Sequence, residues 1–197
     1  MNFLKISRFL FLFIFVSSFS EISAQDFSKK MMTWELGRKL TISAIMNTKD
    51  AKEAKDLAQS FYEKSKVIAN ALEIKNIPAL PKRTGKGTDD LVNAINYIIS
   101  DAGKTIATSL YAKDKSLGSI FEIAAKSHLL MATYSPGGEE GKIIADGIKS
   151  LAKQATIPEK LLQPLIDKIN AKASFEEVRK SLFEVGDSVS TYLSTQK

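Results

Sequence analysis

The sequence contains no cysteine and only one histidine among its 197 residues. Without cysteine, the chain can form no disulfide, carry no lipid on an N-terminal cysteine and perform no thiol chemistry. A single histidine cannot supply a zinc site on its own, and no Gly-x-Ser-x-Gly motif accompanies it to suggest a serine nucleophile. These absences favour a protein that is not an enzyme, although a missing motif does not exclude catalysis.

Long apolar runs are also scarce. The main one, residues 9–16, follows Lys5 and Arg8 and precedes the small residues Ser23 and Ala24. This order is typical of a secretory signal peptide, which we predict at residues 1–24, so the mature protein is expected in the periplasm or outside the cell. The alternative is an uncleaved N-terminal anchor, for which the run is short. No second apolar run follows, so the mature chain is predicted to be soluble.

Charge of one sign is not concentrated anywhere in the chain. The formal net charge is +6, and removal of Lys5, Arg8 and Glu21 with the signal peptide leaves +5. A nucleic-acid-binding protein needs a concentrated basic stripe, which this sequence lacks, so we expect no nucleic-acid partner. The simplest interpretation is a solvated basic surface, and peripheral contact with an anionic membrane surface is the alternative.

Apolar residues recur with helical spacing through most of the chain, and no stretch alternates with the period of a strand. The pattern predicts an all-α fold without a sheet: a single-domain, irregular bundle of six or seven helices around a central apolar helix, spanning residues 25–197. Residues 76–87 contain two prolines and two glycines and are predicted to form a crossover loop inside this domain. The predicted helices cover approximately residues 27–47, 50–74, 88–112, 116–135, 139–155, 157–171 and 174–195.

The central helix is predicted to begin at Ser116 as N-cap and to stop before Pro136. One narrow stripe of its surface is polar, and there Glu122 and Lys126 are expected to form an i,i+4 ion pair. The rest of its circumference is mostly apolar, which indicates a helix covered by neighbours on most sides. The stripe comprises Ser119, Glu122, Lys126 and Thr133.

His128 lies opposite that stripe and should therefore point into the bundle. One hypothesis makes it an axial ligand to haem or another metal, with a methionine from another helix opposite: Met31, Met32 or Met46. The other makes it a core histidine bonded to a hydroxyl or carbonyl, with close helix packing around it. No Cys-x-x-Cys-His motif is present for covalent haem attachment. Both hypotheses fit the small residues on its face of the helix: Ala124, Ala125 and Ala132.

A short pattern of aromatic residue, glutamate, aliphatic residue and small residue occurs three times, at 34–37, 121–124 and 183–186. Three glutamates on three helices could suggest a di-metal site in a bundle. Glu122 and Glu184, however, fall on the polar faces of their helices, and no Glu-x-x-His pair is present. The pattern therefore favours helix packing, with an aromatic residue one turn before a small one.

Together these features predict an exported, non-enzymatic helical-bundle protein with a binding or interaction role. Its partner is expected to be a protein or a small molecule, and the sequence does not define which, nor the oligomeric state. No cofactor is required by any motif, and haem at His128 is the alternative. A second alternative is a basic protein associated peripherally with the cell envelope.

Overall fold

The computed structural model describes residues 29–40, 45–46, 48 and 50–195, and within these residues the chain forms seven helices and no strand. The all-α prediction is confirmed for this part of the chain, whereas the predicted signal peptide lies outside it. The helices are α1 (Lys29–Arg38), α2 (Ala51–Ala71), α3 (87–113), α4 (Lys115–Thr133), α5 (Glu139–Ala155), α6 (Glu159–Asn170) and α7 (Phe175–Thr195).

Helix α4 is the central element of the bundle, as its apolar circumference predicts. It packs extensively against α1, α3 and α5 and also touches α7. It begins two residues earlier than predicted, because Asp114 and not Ser116 is the N-cap. The Asp114 Oδ1 atom accepts a hydrogen bond from the Ser116 backbone N–H at 2.6 Å, which a carboxylate does at least as well as a hydroxyl.

Two hydrophobic cores lie on opposite sides of the pair α1 and α4. The N-terminal core joins this pair to α2 and α3, and the C-terminal core joins it to α5, α6 and α7. Neighbouring residues of one helix serve different cores: Trp34 belongs to the C-terminal core and Leu36 to the N-terminal core. Likewise, on α4, Ile120 belongs to the C-terminal core and Phe121 to the N-terminal core. An apolar helix surrounded on most sides is what this arrangement requires.

Local signals explain several helix ends. Asp50 caps α2 as predicted, and Ser174 forms the predicted capping box with Glu177, whose Oε2 accepts from the Ser174 N–H at 3.0 Å. Helix α3 begins at Gly87, slightly before the predicted cap at Thr88 or Asp89. Helix α6 runs through Pro164 without being split.

Residues 72–86 contain no helix or strand and carry the chain from α2 to α3. Hydrogen bonds to two residues of α3, Tyr97 and Asp90, fix this crossover to the helix. The Tyr97 hydroxyl donates to the Pro78 carbonyl at 2.8 Å, and Asp90 Oδ1 accepts from the Thr84 N–H at 2.7 Å. Tyr97 is fully buried, so the loop is held at its centre by a side chain of the N-terminal core.

Helix α3 is interrupted by one π-helical segment, Tyr97–Ala102. At its end the Gly103 N–H donates to the Ile98 carbonyl, five residues earlier, so the helix is locally one residue wider than an α-helix. Such segments occur frequently at functional sites. This one packs against α2 and lies at the end of the α3–α4 hairpin away from its turn.

Candidate functional site

His128 lies on α4 and is partly buried against the end of α1. Burial, the largest cause, and the nearby positive charge of Arg38 together lower the pKa of its imidazole to about 4, while a hydrogen bond to the Arg38 backbone acts in the opposite direction. The imidazole is therefore neutral at pH 7. Arg38 is held in turn by Glu35 on its own helix and by Asp187 on α7, at 3.7 and 4.0 Å.

Helix α1 approaches α4 closely beside His128. A Cβ atom on Gly37 would lie 2.6 Å from the Ala124 Cβ and 2.7 Å from the Phe121 carbonyl oxygen, so only glycine fits here. One of the three alanines beside His128 is therefore covered by a helix. The prediction of a haem or metal ligand at His128 stays a prediction, which a Soret band on addition of haem, lost in His128→Ala, would support.

The three methionines considered as second ligands are dispersed. Met31 packs on the C-terminal core, Met32 packs on the N-terminal core, and Met46 is 46% exposed. Within the described residues, no group of three or more histidine, aspartate or glutamate side chains is placed to hold a metal ion.

The repeated aromatic–glutamate pattern is explained only in part by packing. Its first two copies meet, because Gly37 of the first packs against Phe121 and Ala124 of the second. The third copy does not act in the same way, since Phe183 is 55% exposed and lies under the guanidinium of Arg179 at 5.9 Å. The packing interpretation is therefore wrong for the third copy.

A groove with a volume of about 550 Å³ lies between α3 and α4. The two helices form a hairpin that is closed near its turn, where the absence of a side chain on Gly118 lets the Tyr111 ring lie against its backbone. Farther from the turn the helices leave a groove that extends to the π segment. Its floor and walls are largely apolar and include Leu40, Ile98, Ile99, Ala107, Phe121 and Leu129.

One hydrogen bond joins two polar residues of the groove across the hairpin. The Tyr111 hydroxyl donates to Glu122 Oε2 at 3.0 Å. Burial raises the pKa of Tyr111, and the hydrogen bond to Glu122 acts in the same direction, so the phenol remains a donor at neutral pH. The predicted Glu122–Lys126 ion pair is not formed, because Glu122 turns across the hairpin to Tyr111.

Two lysines line the same groove from opposite helices, Lys104 on α3 and Lys126 on α4. Within the described residues, neither has a carboxylate within ion-pairing distance, although eight other ion pairs form there. The groove therefore combines an apolar floor with two unpaired positive charges.

The sequence predicts the polar stripe of α4 but not the groove beside it. A signal for the opposite wall does exist, because Ser100, Lys104 and Thr108 recur every four residues and line the groove from α3. Ser119 was assigned to the stripe wrongly. It is fully buried, and its Oγ lies 3.3 Å from Gln154 Oε1 on α5.

The fold and the groove define an all-α bundle with an amphipathic groove on one side of its central hairpin. No helix within the described part of the chain is long and apolar enough to cross a membrane. Comparison with protein-family models, with curated proteins and with solved structures finds no match for the chain.

Proposed function

We propose that the protein is an exported, non-enzymatic binding protein that holds a small, largely apolar molecule in the α3–α4 groove. The observation that carries this proposal is the groove itself. Its volume of about 550 Å³ lies within the usual range of ligand sites, roughly 300–1,000 Å³, and its lining is mainly apolar with a few polar groups.

A small ligand suits this surface better than a protein partner. Stable protein interfaces bury about 800 Å² per partner around a contiguous apolar centre. The most exposed large apolar residues outside the groove are instead on three different helices: Val67 on α2, Ile143 on α5 and Phe183 on α7. Single exposed apolar residues of this kind are normal and do not indicate an interface.

Export is supported by the basic, apolar and small-residue order of residues 1–24. Expression of the full chain in a bacterial host, followed by fractionation and N-terminal sequencing, tests this part of the proposal. We expect a mature protein in the periplasm or medium that begins near Gln25. A full-length protein confined to the cytoplasm would contradict export and leave the groove to be judged separately.

Binding is tested with the neutral fluorescent probe N-phenyl-1-naphthylamine. We expect its emission to increase on saturable binding to the wild-type protein. Ala125→Phe places a ring in the groove and should lower affinity by about tenfold or more, because the lost volume is part of the site. The matched control is Ala112→Phe, since Ala112 is exposed on α3 and does not line the groove.

Circular dichroism establishes that both variants are folded before binding is compared. If Ala125→Phe fails to fold, Ala107→Phe introduces the same ring from the opposite wall. The proposal is refuted if the wild-type protein does not bind the probe, or if the groove variants and Ala112→Phe bind it equally well.

Peripheral contact with an anionic membrane stays a second prediction that rests on net charge alone. Co-sedimentation with anionic vesicles at low salt would support it, and a protein that remains in the supernatant would exclude it.

A further inference from the structure

We propose that the ligand is an anionic single-chain amphiphile, with its acidic head between Lys104 and Lys126 and its apolar chain along the π segment of α3. This inference rests on the proposed function, because it concerns the same groove. It adds the chemical class of the ligand and the orientation in which the groove holds it.

The two lysines lie at one level of the hairpin. Tyr111 and Gly118 mark the closed end, where the two helices touch. Lys104 is seven residues before Tyr111, and Lys126 is eight residues after Gly118. Since each helix rises by about 1.5 Å per residue, both lysines stand about 11 Å from the closed end, on opposite sides of the groove.

Two lysines and one carboxylate, that of Glu122, line the groove, so its net charge is positive. Within the described residues, neither lysine forms an ion pair. The acid nearest along α4, Glu122, lies one turn closer to the closed end and accepts the hydrogen bond of Tyr111. An acidic head group placed between the two ammonium groups would compensate both charges, whereas a cationic head would be repelled.

The part of the groove beyond the lysines suits an apolar chain. Ile99 and Leu129 line it there, and Ile99 is 40% exposed, while Ile98 lies fully buried beneath the groove surface. From Lys104 to Ile98 the helix advances by six residues, which corresponds to about 9 Å. A chain of this length would cover Ile99 and leave its far end at the open side of the groove.

The experiment measures calorimetric binding of four ligands that share a ten-carbon chain, all below their micelle-forming concentrations. Decanoate and decyl phosphate carry acidic heads, decan-1-ol a neutral head and decyltrimethylammonium a cationic head. We expect both anions, or one of them, to bind about tenfold more tightly than decan-1-ol at low salt, and decyltrimethylammonium to bind most weakly. Added salt should reduce the difference between anion and alcohol. Comparison of the two anions shows whether a carboxylate or a phosphate head is preferred.

The double variant Lys104→Gln, Lys126→Gln should bind the anion no more tightly than the alcohol. The matched control, Lys142→Gln, Lys160→Gln, removes the same charge from exposed positions on α5 and α6 outside the groove and should keep the preference. Equal binding of anion and alcohol by the wild-type protein, or an unchanged preference in the double variant, overturns the assignment of an anionic ligand. Continued binding of N-phenyl-1-naphthylamine in that case leaves the proposed function standing, and its absence refutes both.

Discussion

Acidification should destabilise the protein between pH 6.5 and pH 4.5, mainly because of His128. Its imidazole is partly buried beside Arg38, and its pKa is lowered from 6.5 to about 4. In the unfolded chain the imidazole binds a proton below about pH 6.5, whereas in the folded protein it does so only near pH 4. The unfolded state therefore binds more protons between these values, and stability falls as the pH is lowered through this window.

The magnitude follows from the difference between the two pKa values. A difference of about 2.5 pKa units corresponds to at most about 3 kcal/mol of the free energy of unfolding, lost progressively between pH 6.5 and pH 4. Carboxyl groups with a lowered pKa change the stability of the protein only at lower pH. The hydrogen bonds from Ser174 hold the pKa of Glu177 at about 2, so its stabilisation is lost only as the pH falls below about 4.5. The interval from pH 6.5 to 4.5 thus reports mainly on His128.

Urea unfolding followed by circular dichroism at pH 7.5, 6.5, 5.5 and 4.5 measures this loss. The matched variant His128→Gln keeps a polar side chain but cannot titrate, so its stability should change little above pH 4.5. Because the sequence has one histidine, NMR of a protein without a polyhistidine tag gives the imidazole pKa directly. An NMR midpoint near 6.5, or equal pH dependence in wild type and His128→Gln, would refute the reasoning.

Two matched pairs of substitutions test the packing and the capping of the helices by urea unfolding at neutral pH. Gly37→Ala should lower the free energy of unfolding by about 1–3 kcal/mol, because the new Cβ would overlap Ala124. Gly147→Ala places its Cβ in open space and should raise the free energy of unfolding by roughly 0.5–1 kcal/mol. A change of the same sign in both variants would contradict the close α1–α4 contact. Ser174→Ala should lower the free energy of unfolding by about 1 kcal/mol, because it removes the N-cap of α7. Ser188 is exposed in the same helix, and Ser188→Ala should be neutral or slightly stabilising. Equal losses of stability in the two variants would argue against the capping box.

The fold could be predicted because the helical signals are local. Apolar spacing within each segment indicates the helix, and a capping box such as Ser174 with Glu177 marks its start. The start of a helix is predicted wrongly where a neighbouring residue can also act as the N-cap. Asp114 replaces Ser116 as the cap of α4, since either side chain can accept from an unpaired N–H of the first turn. The central position of α4 was also predictable, because a helix that is apolar on most sides must be covered on most sides.

The groove could not be predicted in the same way, because it depends on the path of two helices relative to each other. The sequence shows Gly103 within α3 but not the π segment that ends there, since the wider turn depends on a hydrogen bond to Ile98, five residues earlier. The polar stripe of α4 indicated a wet surface, and Lys126 was assigned to an ion pair. Only the position of Tyr111 across the hairpin shows that Glu122 is engaged elsewhere and that Lys126 is unpaired.

His128 and the groove share the same helices although they are different features. His128 contacts the backbone of Arg38 at the end of α1, and Leu40, two residues farther along, lies on the groove floor. The next residue of α4, Leu129, lines the groove directly. The neutral imidazole therefore joins the end of α1 to α4 next to residues of the groove floor and of its α4 wall. The lone histidine is thus a neighbour of the groove and does not line it.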